Sequence, residues 1–493
     1  MRQWMVAAKK ADFYAIAEKF HVDPVVARII RNREVIGEKN IRIYLGGNLS
    51  DLSDPHQMKD MDRLVEILAQ KIRKQAHIRI IGDYDVDGVT SSHLFLTALR
   101  RVGAKVDVVI PHRIQDGYGL SLHLLQQAKE DGVDTILTCD NGIAAIDEIA
   151  WAKAQKMTVL VTDHHAVPFE EHEGRRTEKK SLADAVVNPH QQDCRYPYKE
   201  LCGAGVAWNV IRVLYENYDM DKREAEDLLD FVAMATVCDV MSLTGENRIL
   251  VKEGLKRIRH TKNIGLQALM QACNVQPENI SAYHFGYVLG PCVNATGRLD
   301  TARHALRLFE TGQETEAEEI ARDLVDLNQE RKELTLQGVE MAKKLCEEGG
   351  YENDPVLVLF LPDVHESIAG LIAGRIREMY NRPVFVLTRG EEGVKGSGRS
   401  TENYSMYENM CGCAELFTKF GGHPMAAGLS LPEENVEKFR RKINENCPLT
   451  VEEVCPDIHI DMAMPVGYAS TELVHQFAPV SYTHLTLPTT PYV

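Results

Sequence analysis

From His77 onward the chain repeats a short β-branched run, a polar turn and an amphipathic stretch, and this alternation limits the possible folds more than any other feature of its 493 residues. HIRII (77–81) leads into the acidic loop GDYDVDG and then into VTSSHLFLTALRRVG, which reads as a helix ending at Gly103. VDVVI (106–110), DTILTC (134–139), TVLVT (158–162) and DAVVN (184–188) are further strand candidates, separated by helical stretches such as LHLLQQAKED and AIDEIAWAKAQK. Alternation of this kind predicts an α/β fold with a doubly wound, mostly parallel sheet.

Around that sheet the sequence divides further. Residues 1–75 read as a helical lead-in, with Met61, Leu64, Ile67, Leu68 and Ile72 at helical spacing, and residues 76–300 as the sheet domain. Ile320, Leu324, Leu327, Leu334 and Met341 fall on a near-heptad spacing, which predicts a long connecting helix within 301–350. A smaller α/β domain is expected over 351–447: PVLVLF, HESIAGLIAGRIREMY and RPVFVL give strand, helix, strand, and VKGSGRS and FGGHPMAAGLS follow as glycine-rich turns. Residues 448–493 form the remainder, and the uncharged, threonine-rich stretch from Ser481 reads as disordered or foreign to the fold.

Composition excludes several classes. No stretch approaches the roughly 18 uninterrupted apolar residues of a membrane span, and the N-terminus breaks its apolar residues with charges, unlike a secretory signal. A cytosolic protein with no membrane partner is expected. The eleven cysteines lack a paired framework, and Cys411 and Cys413 have the wrong spacing for a zinc knuckle, so reduced thiols are expected. The net charge of −16 argues against a protein that coats duplex DNA. A narrow channel with a local set of Arg and Lys can still hold a strand.

Acidic and histidine residues follow the strands. Asp83, Asp85 and Asp87 follow HIRII, Asp140 follows DTILTC, and Asp163, His164 and His165 follow TVLVT. The carboxyl ends of parallel strands share one edge, so these groups converge there, and so many carboxylates stay ionised together only beside a cation. Asp239 continues the helix face marked by Leu228, Val232 and Ala235 and adds another ligand candidate. Oxygen ligands with one or two imidazoles suit Mn²⁺ or Mg²⁺, and two ions sharing a bridging carboxylate fit the ligand number. Taken singly, aspartates in a turn are commonly capping residues, and a His pair is more often a satisfied polar pair. Jointly, acidic groups at equivalent element ends point to a metal-dependent phosphodiesterase.

GDYDVDG, CDNG, TDHH and ATVCDVMSLTGENR stand in the order of the four motifs of the DHH phosphoesterase family. Together with LCGAGVAW, NATGRL, LNQERK, KGSGRS and FGGHPMAAG, they make the chain resemble the single-stranded-DNA exonuclease branch of that family over about residues 50–447. The resemblance implies a DHH domain joined by the long helix to a smaller DHH-associated domain. It implies two divalent ions, Mn²⁺ or Mg²⁺: Asp85 and Asp87 hold one each, Asp140 bridges them, and His164 and Asp239 complete one shell. Asp83, Asp163 and His165 take catalytic roles, Asp83 within the acidic motif, His165 at the scissile phosphate and Asp163 orienting a histidine. Arg113 and Arg298 approach the nucleic-acid backbone, while Ser397, Arg399, Ser400 and His423 hold phosphate.

The implied activity is 5′ to 3′ hydrolysis of single-stranded DNA to mononucleotides in recombination and repair, with a single-stranded-DNA-binding protein and a helicase as partners. Two alternatives remain open: a phosphodiesterase of short oligonucleotides or cyclic dinucleotides, and a non-catalytic replication scaffold. After the second domain, family members continue into an oligonucleotide-binding fold. Here STELVHQFAPV resembles its start and the pattern then stops, so a truncated C-terminal region is expected.

Overall fold

The computed structural model describes residues 3–480 apart from 114–115, 118, 173–174, 352–353, 391–392, 451–456 and 478–479. The expectation for the tail from Ser481 lies outside the described residues. The chain forms two compact units, one of residues 9–328 with 464 onward, the other of residues 1–8 with 329–463.

In the larger unit the strands β1 (Ile78–Ile81), β2 (Val106–Val109), β3 (Thr135–Cys139), β4 (Thr158–Thr162) and β5 (Ala185–Val187) form one sheet in the order β2-β1-β3-β4-β5, every pair parallel. This is the doubly wound sheet that the alternation predicts. Successive residues of each strand feed different cores: Ile78, Ile80, Leu137 and Leu160 join one cluster, and Ile81, Ile136, Val159 and Val161 the other. Both faces are therefore covered, as a parallel sheet requires. Between β1 and β3 the winding reverses, and the crevice outside the strand ends at such a switch point is where ligands bind in open α/β sheets.

Four helices frame that crevice. Helix α1 (Val86–Arg101) starts where Asp85 accepts the Gly88 N–H at 3.0 Å, an N-cap that ends the acidic loop. It is buried on nearly all sides because it packs against α2 (Gly203–Asn217) and α3 (Leu229–Cys238). Helix α4 (Gly290–Leu299) follows a π-helical turn, Phe285–Leu289.

Helix α5 (Glu314–Glu348) is the expected long helix, and the division between the units falls within it, after Asn328. Its apolar stripe drifts from the expected heptad: Met341 is 41% exposed, whereas Val339, Ala342 and Cys346 are buried. A straight helix turns past a seven-residue repeat, so the buried face moves along it.

In the smaller unit, β6 (Leu357–Phe360), α6 (Ala369–Tyr380) and β7 (Val384–Gly390) give the expected strand, helix, strand. The glycine-rich segments are not turns. They form β8 (Gly393–Arg399), β9 (Lys419–His423) and β10 (Ala426–Leu431), and the sheet order is β9-β10-β8-β7-β6. Only β6 and β7 are parallel. Glycine is a poor strand former, so local pattern hides these strands, and close packing explains them. A Cβ on Gly398 would lie 2.5 Å from the Met406 sulfur, and one on Gly396 2.3 Å from Leu387.

The lead-in also differs from its helical expectation at one end: Gln3–Val6 is a strand, parallel to Asp457–Ile460. A four-residue strand whose partner lies more than 450 positions away leaves no local signal. The described cysteines are all free thiols. No helix among the described residues is long and apolar enough to cross a membrane.

Candidate metal centre

At the carboxyl ends of β1, β3 and β4, joined by the end of α3, the structure brings together Asp83, Asp85, Asp87, Asp140, His164, His165 and Asp239. Three ligand sets have donor atoms within 4.8 Å of one another: Asp83 with Asp85 and Asp140, Asp87 with His164 and Asp239, and Asp140 with His164 and His165. Asp140 and His164 each belong to two sets, so adjacent sites share ligands. His164 Nε2 lies 3.0 Å from Asp140 Oδ1, 3.6 Å from Asp239 Oδ2 and 3.7 Å from Asp87 Oδ2.

Local structure aims each group. Asp140 holds a left-handed conformation (φ 61°) at the end of β3, where its N–H reaches the Thr162 carbonyl. Beside it the buried Asn141 donates to the carbonyls of Ile81 and Cys139, tying the ends of β1 and β3 together. Asp87 Oδ2 accepts from Gly203 N–H at 2.6 Å and Oδ1 from Ala204 N–H at 2.7 Å, so this carboxylate sits on the N-terminus of α2. A Cβ on Gly203 would stand 2.6 Å from the Asp140 Cβ, which makes glycine necessary for that approach. Asp163 Oδ1 accepts from the backbone of His164 and His165 and from His165 Nδ1 at 2.8 Å, while Oδ2 accepts from Ile143 N–H.

The electrostatics report crowding. Burial, then the charge of Asp85, pushes Asp83 well above the usual carboxylate range. Burial and then Asp87 raise Asp85, lift Asp140 well above that range, and push Asp239 up to about 9. Burial lowers His164. At His165 burial is opposed by the Asp163 hydrogen bond, and the result rises to about 9; at Asp163 burial is likewise outweighed by His165, and the carboxyl lies below its usual value. Clustered carboxylates pushed toward neutrality are the surroundings a divalent cation relieves. Asp83 Oδ1 is buried without a hydrogen bond, although buried polar atoms are ordinarily satisfied. Oxygen-dominated sets with imidazole at one end fit Mg²⁺ or Mn²⁺.

The remaining predicted residues lie in two places. Arg113 stacks on the Tyr84 ring at 4.7 Å, within the acidic loop, and Arg298 follows Gly297, where a Cβ would meet the Tyr84 carbonyl at 2.3 Å. In the smaller unit, register aligns Arg399 with Ala426 and Ala426 with His423, and Ser397 with Gly428. His423 is exposed, and Ser397 and Arg399 are half-buried. Ser400 stands apart: it is fully buried, and its hydroxyl donates to the Tyr404 carbonyl.

Sequence reasoning missed the supports. Gly203 and Ala204 hold Asp87, Asn141 joins two strand ends, and Asn294 Oδ1 accepts the Val86 N–H at 3.2 Å. The signal for Gly203, Ala204 and Asn294 is the small-residue motifs LCGAG and NATGRL, whose roles depend on contacts more than a hundred positions away.

The chain matches the model of the DHH family N-terminal domain over residues 77–236 and that of the DHHA1 domain over 353–447. It is 33% identical over 464 residues to the single-stranded-DNA-specific exonuclease RecJ of Bacillus subtilis, covering 93% of this chain and 57% of that protein. The RecJ of Haemophilus influenzae is 36% identical over 440 residues, covering 86% and 74%. The chain thus spans little over half of the first relative and about three quarters of the second. A crystal structure of Thermus thermophilus RecJ in complex with Mn²⁺ superposes with a TM-score of 0.81 at 26% identity, covering 97% of this chain and 67% of that one. A structure of exonuclease RecJ bound to manganese gives 0.69 at 31%, covering 80% and 96%. With more than a third of its aligned residues shared with the Haemophilus protein over most of both chains, this chain belongs to the RecJ family of DHH phosphoesterases.

Proposed function

We propose that this protein is a metal-dependent exonuclease that hydrolyses single-stranded DNA from the 5′ end to mononucleotides, in recombination and repair. The observation that carries the reading is the gathering of carboxylates and imidazoles at the sheet's switch point, in a chain whose relatives are named for that activity. Two divalent ions, Mn²⁺ or Mg²⁺, supply there an activated water and charge compensation for the phosphoryl group.

Asp85 and Asp87 each hold one ion, Asp140 bridges, and His164 and Asp239 complete one shell, with Asp83 closing the set on the β1 side. Asp87 has a second task, because its two oxygens also anchor α2 and so keep Gly203 against Asp140. His165 presents a cationic edge to the scissile phosphate, and Asp163 fixes its ring through Nδ1. Arg113 and Arg298 take phosphates of the strand next to the acidic loop, where guanidinium donors suit paired phosphate oxygens. In the smaller unit Ser397, Arg399 and His423 hold a phosphate, and Ser400 pins the turn that follows Arg399 through its bond to Tyr404. A single-stranded-DNA-binding protein and a helicase are the partners this reading implies, in the cytoplasm.

The test is incubation with Mn²⁺ and 5′-labelled single strands of graded length, with duplex and a cyclic dinucleotide as controls. Labelled mononucleotide released from long single strands is the expected result. Cleavage confined to dinucleotides reassigns the substrate, and no cleavage with any divalent metal leaves a scaffold.

A further inference from the structure

The larger unit holds a cavity of about 390 Å³ that the chemistry of the metal centre does not use. Its walls come from the turn Leu49–Asp51 of the lead-in, the second half of α2 and the short helix Lys222–Glu226. A volume of this order suits a small ligand.

The charges that line the cavity are unevenly answered. Arg212 and Glu216 stand four positions apart on α2, as do Lys222 and Glu226 on the short helix, the spacing at which opposite charges ordinarily pair. Both acids turn elsewhere: Glu216 takes the His56 ring at 3.2 Å, and Glu226 takes Arg257 at 2.6 Å. Arg212 donates to the neutral Asn209 Oδ1 at 2.9 Å, and among the described residues neither Arg212 nor Lys222 is in an ion pair. Two uncompensated cations therefore line the cavity, an arrangement that an anionic group completes.

The same wall carries a stack. The Arg212 guanidinium lies over the Trp208 ring, 4.9 Å from its centroid, and Trp208 is only 2% exposed beneath it. The indole N–H donates to the Ala225 carbonyl at 2.7 Å, which ties the short helix to α2 and fixes the ring. A guanidinium seated on an aromatic ring has a second planar face on which a base can stack. Leu49, Leu52 and Met220 supply apolar sides. A ligand that answers both features brings a phosphate for the cations and a flat ring for the stack.

We infer that this cavity binds a nucleoside 5′-monophosphate, with Lys222 and the edge of Arg212 on the phosphate and the base against the Arg212–Trp208 stack. The choice of nucleotide rests on the nuclease reading above, whose product it is; the charges and the stack stand without it. Arg212 follows Ala204, which holds Asp87, by eight positions on α2, roughly 12 Å along the axis at 1.5 Å per residue. The site thus shares a helix with the metal centre without overlapping it.

The chain has three tryptophans, Trp4, Trp151 and Trp208, so Trp4→Phe/Trp151→Phe leaves Trp208 as a reporter inside the cavity wall. In that background the full chain with Mg²⁺ is titrated with thymidine 5′-monophosphate, and separately with thymidine and with inorganic phosphate, while tryptophan emission is followed. The nucleotide should give a saturable change, and each of its halves should bind at least about tenfold more weakly. Arg212→Ala should weaken the nucleotide about tenfold, and the exposed Lys222→Ala about threefold with an unchanged unfolding midpoint. Arg212→Lys should keep the affinity for inorganic phosphate and lose part of that for the nucleotide, because the charge remains and the plane does not. No saturable change in the millimolar range, equal affinity for phosphate alone, or unchanged affinity in both alanine variants overturns the site and leaves the nuclease reading untouched. Absence of strand cleavage by the unmodified protein overturns the nuclease reading, and the titration then decides the site by itself.

Discussion

The two five-stranded sheets gather their functional groups by different physics. In the parallel sheet, chain direction does it: every strand ends at the same edge, so Asp83, Asp140 and Asp163 meet although β1, β3 and β4 are far apart in sequence. In the mostly antiparallel sheet, register does it: Arg399, Ala426 and His423 form one row because β8, β10 and β9 pair in that alignment. Burial follows the same divide. Among the described residues every buried Asp, Glu, His or Arg lies in the larger unit, whereas the buried polar residues of the smaller unit are Ser367, Thr388 and Ser400. The first sheet thus concentrates charge under cover, and the second carries Arg399 half-buried and His423 exposed.

The sharpest way to break that contrast is at Asp140. Asp140→Asn should lower kcat about a thousandfold. Mn²⁺ binding followed by calorimetry should weaken in parallel, and near-normal turnover would remove Asp140 from the shared ligand position.

Next in size is a paired glycine test. Gly203→Ala drives a Cβ into Asp140 and should cost about 2–3 kcal/mol in chemical denaturation, along with Mn²⁺ affinity. Gly396→Ala meets mainly the ends of Leu387 and Leu429 and should cost less, with Mn²⁺ affinity untouched. Equal effects on metal binding would erase the distinction between the sheets.

Acid should separate the units as well. His93 on α1, packed against Phe231 and Phe309, is pushed down to about 3 by burial and then by the charge of Arg100. A depressed histidine contributes stability that is present above its unfolded value near 6.5 and lost as pH falls toward 3. Between pH 8 and pH 5 the larger unit should therefore lose about 2 kcal/mol from this group. Hydrogen exchange should register that loss in the larger unit, and His93→Phe should abolish it.

The smallest effect is expected in the second sheet. Arg399→Ala should raise KM for a 5′-phosphorylated strand about tenfold, the strength of one charge-assisted contact, and change kcat less. A fall in kcat as deep as that of Asp140→Asn would place Arg399 in the chemistry and dissolve the contrast.

Legibility in the sequence follows the same line. HIRII, DTILTC and TVLVT are visible because β-branched runs declare themselves over a few residues, and an acidic group directly after each is visible as a candidate ligand. VKGSGRS and FGGHPMAAGLS are not visible as strands, since glycine is a poor strand former and the contacts that select Gly396 and Gly398, from Leu387, Phe385 and Met406, are with other segments. The drift of the stripe on α5 and the strand Gln3–Val6 escape for the same reason: their partners are distant.

By itself the sequence determined the alternation of strand and helix, hence a parallel sheet and the edge on which its acidic residues fall, because hydrophobic period and the constraint on parallel crossovers are local properties of the chain. Only the tertiary structure decided that Asp87 caps α2, that Gly203 must lie against Asp140, and that Arg399 and His423 share a row. Each of these depends on van der Waals contact or hydrogen bonding between segments far apart along the chain, and no short-range pattern encodes such contacts.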